Sequence, residues 1–218
     1  MFLGFSDNFY HLYENLLFEY SFNSLYLVLG VSFLVAIIGV TTAWLVTFFN
    51  FSGKKIFQWA LILPLAVPPY LLAYVFTEFF DYSGTANNFL RNLLNAESDI
   101  VFFPNIRTIY GAIAVFSFTL YPYVYMVARV AFMNISPSLI EASKLLGKNS
   151  ISTFFYLLIP LIRPAIIAGI ALVAMETLSD FGAVQHFAIP TFTTGIFRTW
   201  TGLYDLNTAL QLSTILLT

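Results

Sequence analysis

The chain has 218 residues, of which 59% are hydrophobic and only 9% charged, with a formal net charge of −2 and a mean hydropathy of +0.83. So little charge cannot cover a water-soluble globule of this length, and most of the chain must face lipid. No basic run is present to neutralise a phosphate backbone, so nucleic-acid binding has no support, and the absence of cysteine excludes disulfides, thiolate metal sites and cysteine nucleophiles.

The first twenty residues carry Asp7, Glu14 and Glu19 but no Lys or Arg, the opposite of the basic start of a cleavable signal. Beyond them, residues 20–53, 56–77 and 108–128 contain no charged side chain, and each can hold a membrane-spanning helix. A fourth span is expected over 154–175, interrupted only by Arg163, whose long side chain can reach the headgroups from near one end. A fifth apolar stretch begins at Leu206 and runs for 13 residues to Thr218, about half of what a crossing needs. The expected fold is therefore all-α, one polytopic transmembrane helical bundle over 1–218 with four full spans and a truncated fifth.

Basic residues orient the bundle, because positively charged loops stay on the cytoplasmic side. Lys54 and Lys55 place the loop after the first span inside, and Arg129, Lys144 and Lys148 place the loop between the third and fourth spans inside as well. Two intervening crossings require that agreement. Of the eleven acids all but Glu141 then fall outside or at the outer rim. Residues 1–22 are placed outside, and without a signal they call for a preceding helix, so both ends read as cut. Residues 78–107, with Asp81, Gly84, Asn87, Asn88, Glu97, Asp99 and Pro104, and residues 177–205 form two outer segments.

The inner loop 134–160 is too polar to cross a membrane and too long to be a minimal turn. Ser136-Pro137 before Ser138-Leu139-Ile140-Glu141 reads as a helix start, with proline in the first turn and a carboxylate near the positive end of the helix dipole. Ala142, Ser143 and Gly147 are small enough to let such a helix seat closely in a partner's groove, and Gly147 is expected to end or turn it. An ordinary surface helix joining two spans could begin in the same way.

Glu141-Ala142-Ser143, then Gly147, then after nine residues Leu157-Leu158-Ile159-Pro160, resembles the Glu-Ala-Ala signature of ATP-binding cassette importer permeases. Ser143 stands for the second Ala, Leu157 for Ile and Ile159 for Leu, with the spacing intact. Leu63-Pro64-Leu65-Ala66-Val67-Pro68-Pro69-Tyr70, Leu120-Tyr121-Pro122-Tyr123-Val124-Tyr125, the stretch from Met175 to Gly182 and that from Thr191 to Trp200 are similar to ferric-iron importer permeases. The likeness extends over most of residues 20–212. It implies the type I importer permease fold and most of the N-terminal half of a two-half chain, lacking its first helix. It also implies that Glu141, Ala142, Ser143 and Gly147 belong to a coupling helix docked on a cytoplasmic ATPase dimer, which binds the ATP and Mg. Further partners implied are a periplasmic substrate-binding protein, a second permease half and the lipid of a bacterial inner membrane.

The chain has no phosphate-binding glycine loop, so ATP must be handled elsewhere, and no nucleophile, metal cluster or acid/base pair lies in the spans. No cofactor and no catalytic or metal-binding residue is therefore expected here. Pro68 and Pro69, with Pro64, should kink the second span and could line a path, or could mark a packing kink. Glu176 and Asp180, four residues apart, share one face if the fourth helix continues through them, and offer hard oxygen ligands or a solvated rim. Glu78 and Asp81 carry the same ambiguity or could meet a delivery protein. Tyr121, Tyr123 and Tyr125 read as packing groups, His11 and His186 as isolated boundary residues, and Arg163 as an anchor. Ferric iron is the favoured cargo, against thiamine, polyamine, sulfate or molybdate, and a non-transporting membrane scaffold is the alternative outside transport.

Overall fold

The computed structural model describes residues 12, 14, 16–94, 100–103 and 105–217. Asp7, His11, Glu97, Asp99 and Pro104 lie outside the described residues, as does most of the 1–22 segment placed outside the membrane. Every element among the described residues is helical. In chain order these are α1 (Leu17–Phe48), α2 (Lys54–Ala60), a 3-10 turn (Leu63–Ala66), α3 (Pro69–Phe80), α4 (Thr85–Leu94), α5 (Ile109–Met133) and α6 (Pro137–Leu145). There follow α7 (Ser150–Ser179), α8 (Gly182–His186), α9 (Phe192–Gly202) and α10 (Leu206–Leu217).

Three helices, α1, α5 and α7, are long and apolar enough to cross a membrane, and a fourth crossing is counted if the pair Lys54–Ala66 and Pro69–Leu94 acts as one broken span. The break has a local cause. Val67 is extended at φ −111°, ψ 119°, as expected of a residue before proline, and Pro68 follows at φ −58°, ψ 144°. Two successive prolines remove two amide donors, so the α-helical ladder stops and restarts with Pro69 in the first turn of α3. The expected kink is thus a full interruption of the 56–77 stretch.

The residues cluster into two compact units. One takes the chain up to Gly30, Pro68–Phe116 and the chain from Glu176 onward; the other takes Val31–Val67 and Ser117–Met175. In the second unit the core gathers around α5. Val124 is fully buried. A Cβ on Gly39 of α1 would lie 2.8 Å from the Val124 Cβ, and one on Gly169 of α7 would lie 3.0 Å from its Cα. Two glycines therefore let two helices close on the same residue, the small-residue packing that lipid favours because helix association there relies on close van der Waals contact. Around this centre the Trp44 ring lies 4.4 Å from that of Phe154 at a tilt of 36°, and Phe48 meets Phe132 edge-on at 5.6 Å.

The buried Tyr125 hydroxyl donates to the Gln58 carbonyl at 3.1 Å, one of the carbonyls left open where α2 gives way to the 3-10 turn. Tyr125→Phe is expected to lower stability by about 1 kcal/mol, read as a drop in the detergent unfolding midpoint without loss of expression. Lys54 similarly donates to the Thr47 carbonyl at 3.2 Å, closing the end of α1.

In the first unit the outer connection after α3 is held by the fully buried Asn87. Its amide nitrogen donates to the Phe80 and Asp81 carbonyls at 3.2 and 2.9 Å, and its oxygen accepts from the Phe102 and Phe103 amides at 3.0 and 3.2 Å. One buried side chain thus supplies four backbone groups on either side of it with partners. The Thr191 side chain and Thr194 form a capping box at the start of α9, and Ser24 of α1 accepts from the Phe192 amide at 3.2 Å.

Hydroxyl residues inside the helices mostly bond back along their own helix. Thr42 donates to the Ile38 carbonyl at 2.6 Å, Thr47 to Ala43 at 2.7 Å, Thr77 to Ala73 at 2.7 Å, Thr199 to Gly195 at 2.8 Å and Thr214 to Leu210 at 2.9 Å. Thr41 bonds the Ile37 carbonyl in the same way.

Candidate functional site

The loop between α5 and α7 forms the expected short helix. Ser136 is extended at φ −60°, ψ 130°, Pro137 opens α6, and no residue of the helix is buried. Its C-terminus closes by a Schellman motif: the Gly147 amide donates to the Lys144 carbonyl at 2.9 Å and the Lys148 amide to the Ser143 carbonyl at 3.1 Å. Gly147 sits at φ +76°, which glycine adopts without cost.

Glu141, Ala142 and Gly147 are exposed and Ser143 is half-buried. Leu145 and Leu146, at 89% and 80% exposure, stand at the tip, where an apolar pair gains nothing from water. Ser143, which departs from the alanine of the resembled signature, has a use of its own: its hydroxyl lies 2.8 Å from that of Thr153, tying α6 to the first turn of α7. Asn149 caps that turn, accepting from the Ser152 amide at 2.7 Å. A π-helical turn, Phe154–Leu158, follows.

The second group of candidates lies in the other unit. There α8 packs on α3, and a Cβ on Gly182 would meet the Tyr70 Cβ at 2.9 Å. The structure therefore brings the start of α3, with exposed Pro68 and half-buried Pro69, against the turn that follows α7. Glu176 projects from the exposed face of α7. The helix ends at Ser179, and the Asp180 amide still donates to the Glu176 carbonyl at 3.1 Å, so Asp180 completes the turn that begins at Glu176.

Asp180 also caps the next turn. Its Oδ1 accepts from the Ala183 and Val184 amides at 2.9 and 3.4 Å, and its carbonyl accepts from Thr193 Oγ1 at 2.8 Å. Lying beyond the end of α7, its carboxyl is held above the ordinary carboxylate range because burial outweighs those amide bonds, with Glu176 adding repulsion. The sign follows: a carboxyl raised on folding stabilises fully below its ordinary pKa, and that contribution is lost as pH rises through the folded value. Asp180→Asn keeps the acceptor and is expected to remove this pH dependence, whereas Asp180→Ala should cost about 1 kcal/mol. Thermal unfolding between pH 3.5 and 7 checks both.

His186, read as isolated in sequence from any metal cluster, is half-buried; its Nε2 lies 3.0 Å from Thr77 Oγ1 and its ring 4.0 Å from that of Tyr74. Desolvation and then Arg107 lower its pKa against the opposing pull of Glu78. Glu78 and Asp81 stay exposed, Tyr121 and Tyr125 are buried, Tyr123 is half-buried and Arg163 is exposed. Asn87 and the Ser143–Thr153 pair were not singled out from sequence. Asn87 reads there as one more polar loop residue, and its partners at 102 and 103 are set only by the fold. Among the described residues no group of three or more His, Cys, Asp or Glu side chains could hold a metal.

Comparison with known proteins gives this geometry a context. Residues 18–218 match the family described as binding-protein-dependent transport system inner membrane component. The chain is 27% identical over 195 residues to an Fe(3+)-transport system permease protein of Haemophilus influenzae, covering 89% of this chain and 34% of that protein. It is 28% identical to a sulfate transport system permease protein of Salmonella typhimurium, over 70% of this chain and 52% of the relative. A molybdenum transport system permease protein of Escherichia coli is 31% identical over 68% of this chain and 62% of its own length. The chain thus spans between a third and two thirds of these relatives. The crystal structure of a bacterial ABC transporter importing alginate superposes with a TM-score of 0.69 at 19% identity, over 98% of this chain and 78% of that one. That likeness carries the fold. With its apolar crossings and the family match over 18–218, the chain is a multi-pass membrane protein belonging to the inner-membrane permease family of binding-protein-dependent, ATP-binding cassette transport systems.

Proposed function

We propose that this chain is the membrane-spanning part of a permease that imports ferric iron across a bacterial inner membrane, driven by a separate cytoplasmic ATPase dimer and supplied by a periplasmic binding protein. The observation that carries the transport reading is α6: a helix with no buried residue on a positively charged loop, closed by Gly147 at φ +76° and tipped by two exposed leucines. A surface helix with no partner has no reason to present that pair. Glu141, Ala142, Ser143 and Gly147 are assigned to docking on the ATPase, whose opening and closing they pass to the spans, and ATP and Mg belong to that partner. A related solved alginate transporter is in complex with a periplasmic protein bound to alginate pentasaccharide, which supports a delivery partner of the same kind here. A second permease half completes the path.

Iron is favoured because the similarity to the iron permease runs over 89% of this chain, against 70% for the sulfate relative and 68% for the molybdenum one. Pro68, Pro69, Glu176 and Asp180 lie in segments that could border the path; Asp180 is already engaged by amides, which leaves Glu176 the freer carboxylate. The test is uptake of labelled ferric iron, sulfate and molybdate by the intact system with and without its binding protein. Iron accumulation that depends on the binding protein supports the assignment, and accumulation of either oxyanion without iron overturns it.

A further inference from the structure

The two faces of α6 differ. Glu141 and Leu145 point away from the rest of their unit, whereas Ile140, Lys144 and, past the cap, Lys148 follow one another at a spacing of four and line a cavity of about 310 Å3. Its other wall is the end of α1, with Trp44, Phe48 and Phe49, and its back is the Asn149–Thr153 turn that opens α7. Two lysines thus line a space that also has an aromatic wall, the Lys148 ammonium standing 5.6 Å from the Tyr156 ring centroid, and the volume is at the small end of the range for ligand pockets, which is about 300–1,000 Å3. The lining contains no carboxylate. Polar and apolar parts are sorted: the lysines sit on the inner loop, and the aromatic rings sit where the first span ends, the depth at which tryptophan rings occupy a membrane interface.

We propose that this cavity binds the phosphate headgroup of an anionic phospholipid from the cytoplasmic leaflet. Lys144 and Lys148 neutralise the phosphodiester, and Trp44, Phe48 and Phe49 pack against the glycerol and the first acyl carbons. A free phosphate satisfies the lysines but leaves the aromatic wall unfilled, and a soluble acidic peptide does not reach the depth at which α1 ends. Basic pockets between spans on the cytoplasmic side suit such headgroups because lysine and phosphate attract at close range while the acyl chains stay in the bilayer. The site shares α6 with the residues assigned to the ATPase, since Ser143 bonds the cavity-lining Thr153; absent lipid retention with an ATPase that still co-purifies marks failure of this site alone.

The full permease, purified within its complete complex, is reconstituted in nanodiscs of phosphatidylcholine containing phosphatidylglycerol, then released and weighed by native mass spectrometry. Retained phosphatidylglycerol, in preference to phosphatidylcholine, is expected on the wild-type protein. Lys144→Gln and Lys148→Gln should each weaken retention about fivefold, while Lys144→Arg and Lys148→Arg, which keep the charge, should retain it. Unfolding midpoints of the four variants separate loss of the lipid from loss of the fold. Equal retention by the Gln variants with an unchanged midpoint overturns the proposal. So does equal retention of both lipids, or binding of inorganic phosphate with no retained lipid.

Discussion

A Gly39→Leu chain is expected to lose about 3 kcal/mol of stability or more, with a sharp fall in folded protein recovered from membranes. The Cβ that any other residue brings would lie 2.8 Å from Val124 Cβ, 2.9 Å from the Tyr125 amide nitrogen and 3.0 Å from the Tyr121 carbonyl oxygen. Two of those three atoms are backbone, so no side-chain rotation relieves the clash and α1 must move off α5. The movement would open the contacts of Ala43 and Val46, both buried on the same helix, because residues four and seven positions on share its face. Lipid offers no compensating hydrophobic gain, since acyl chains are as apolar as the core they would replace. Gly202 is the control: nothing lies within 4 Å of a Cβ there, and Gly202→Ala should unfold at the wild-type midpoint. An unchanged midpoint for Gly39→Leu in the same detergent would show that the helices are not closed at this point.

At the inner loop, Gly147→Val combined with Glu141→Arg is expected to cut transport and transport-linked ATP hydrolysis by the intact system at least about tenfold, with the amount of chain in the membrane unchanged. The open space around Gly147 removes any steric argument, and the cost is conformational. A β-branched residue held at φ +76° is strained by about 1–3 kcal/mol, enough to unwind the Schellman cap and release the Lys144 and Ser143 carbonyls. A tenfold loss needs about 1.4 kcal/mol, so the strain suffices alone. Gly147→Asn, which tolerates the left-handed region better, should keep most of the activity. Assembly with the ATPase is read by co-purification. Full co-purification and normal hydrolysis in the double variant would remove α6 from the coupling path.

Local signals were the ones the sequence carried well. Ser136-Pro137 begins α6, Gly147 ends it, charge-free intervals locate α1 and α5, and an apolar run interrupted only by Arg163 locates α7, because each rests on properties of neighbouring residues: a fixed φ, a missing Cβ, a long apolar run. The prolines at 64, 68 and 69 announced a disturbance but not its extent, since whether a proline pair bends or breaks a helix depends on what surrounds it. Asp180, four residues after Glu176, still bonds back to the Glu176 carbonyl as α7 ends, but its carboxylate is taken up by the amides of the following turn, which spacing alone does not announce. His186 and Thr77, 109 positions apart, and Gly39 and Gly169 on either side of Val124 meet only through tertiary packing. In a chain where both faces of a helix are apolar, hydropathy does not distinguish the face toward protein from the face toward lipid. On α1, Leu27, Val31 and Val35 are buried while Leu25, Leu29 and Phe33 are exposed, with nothing in residue type to separate them.

The hydroxyl bonds along α1, α3, α9 and α10 bear on how such a chain is weighed. A threonine whose proton already rests on its own helix presents to the bilayer little more than its methyl group, and the dipole it would have shown to water is cancelled within the turn. Thr41, Thr42 and Thr47 behave toward lipid much as valines do. The effective oiliness of this protein therefore exceeds the figure obtained by adding up residue types, and a helix rich in threonine can pass into a membrane at lower cost than its formula suggests.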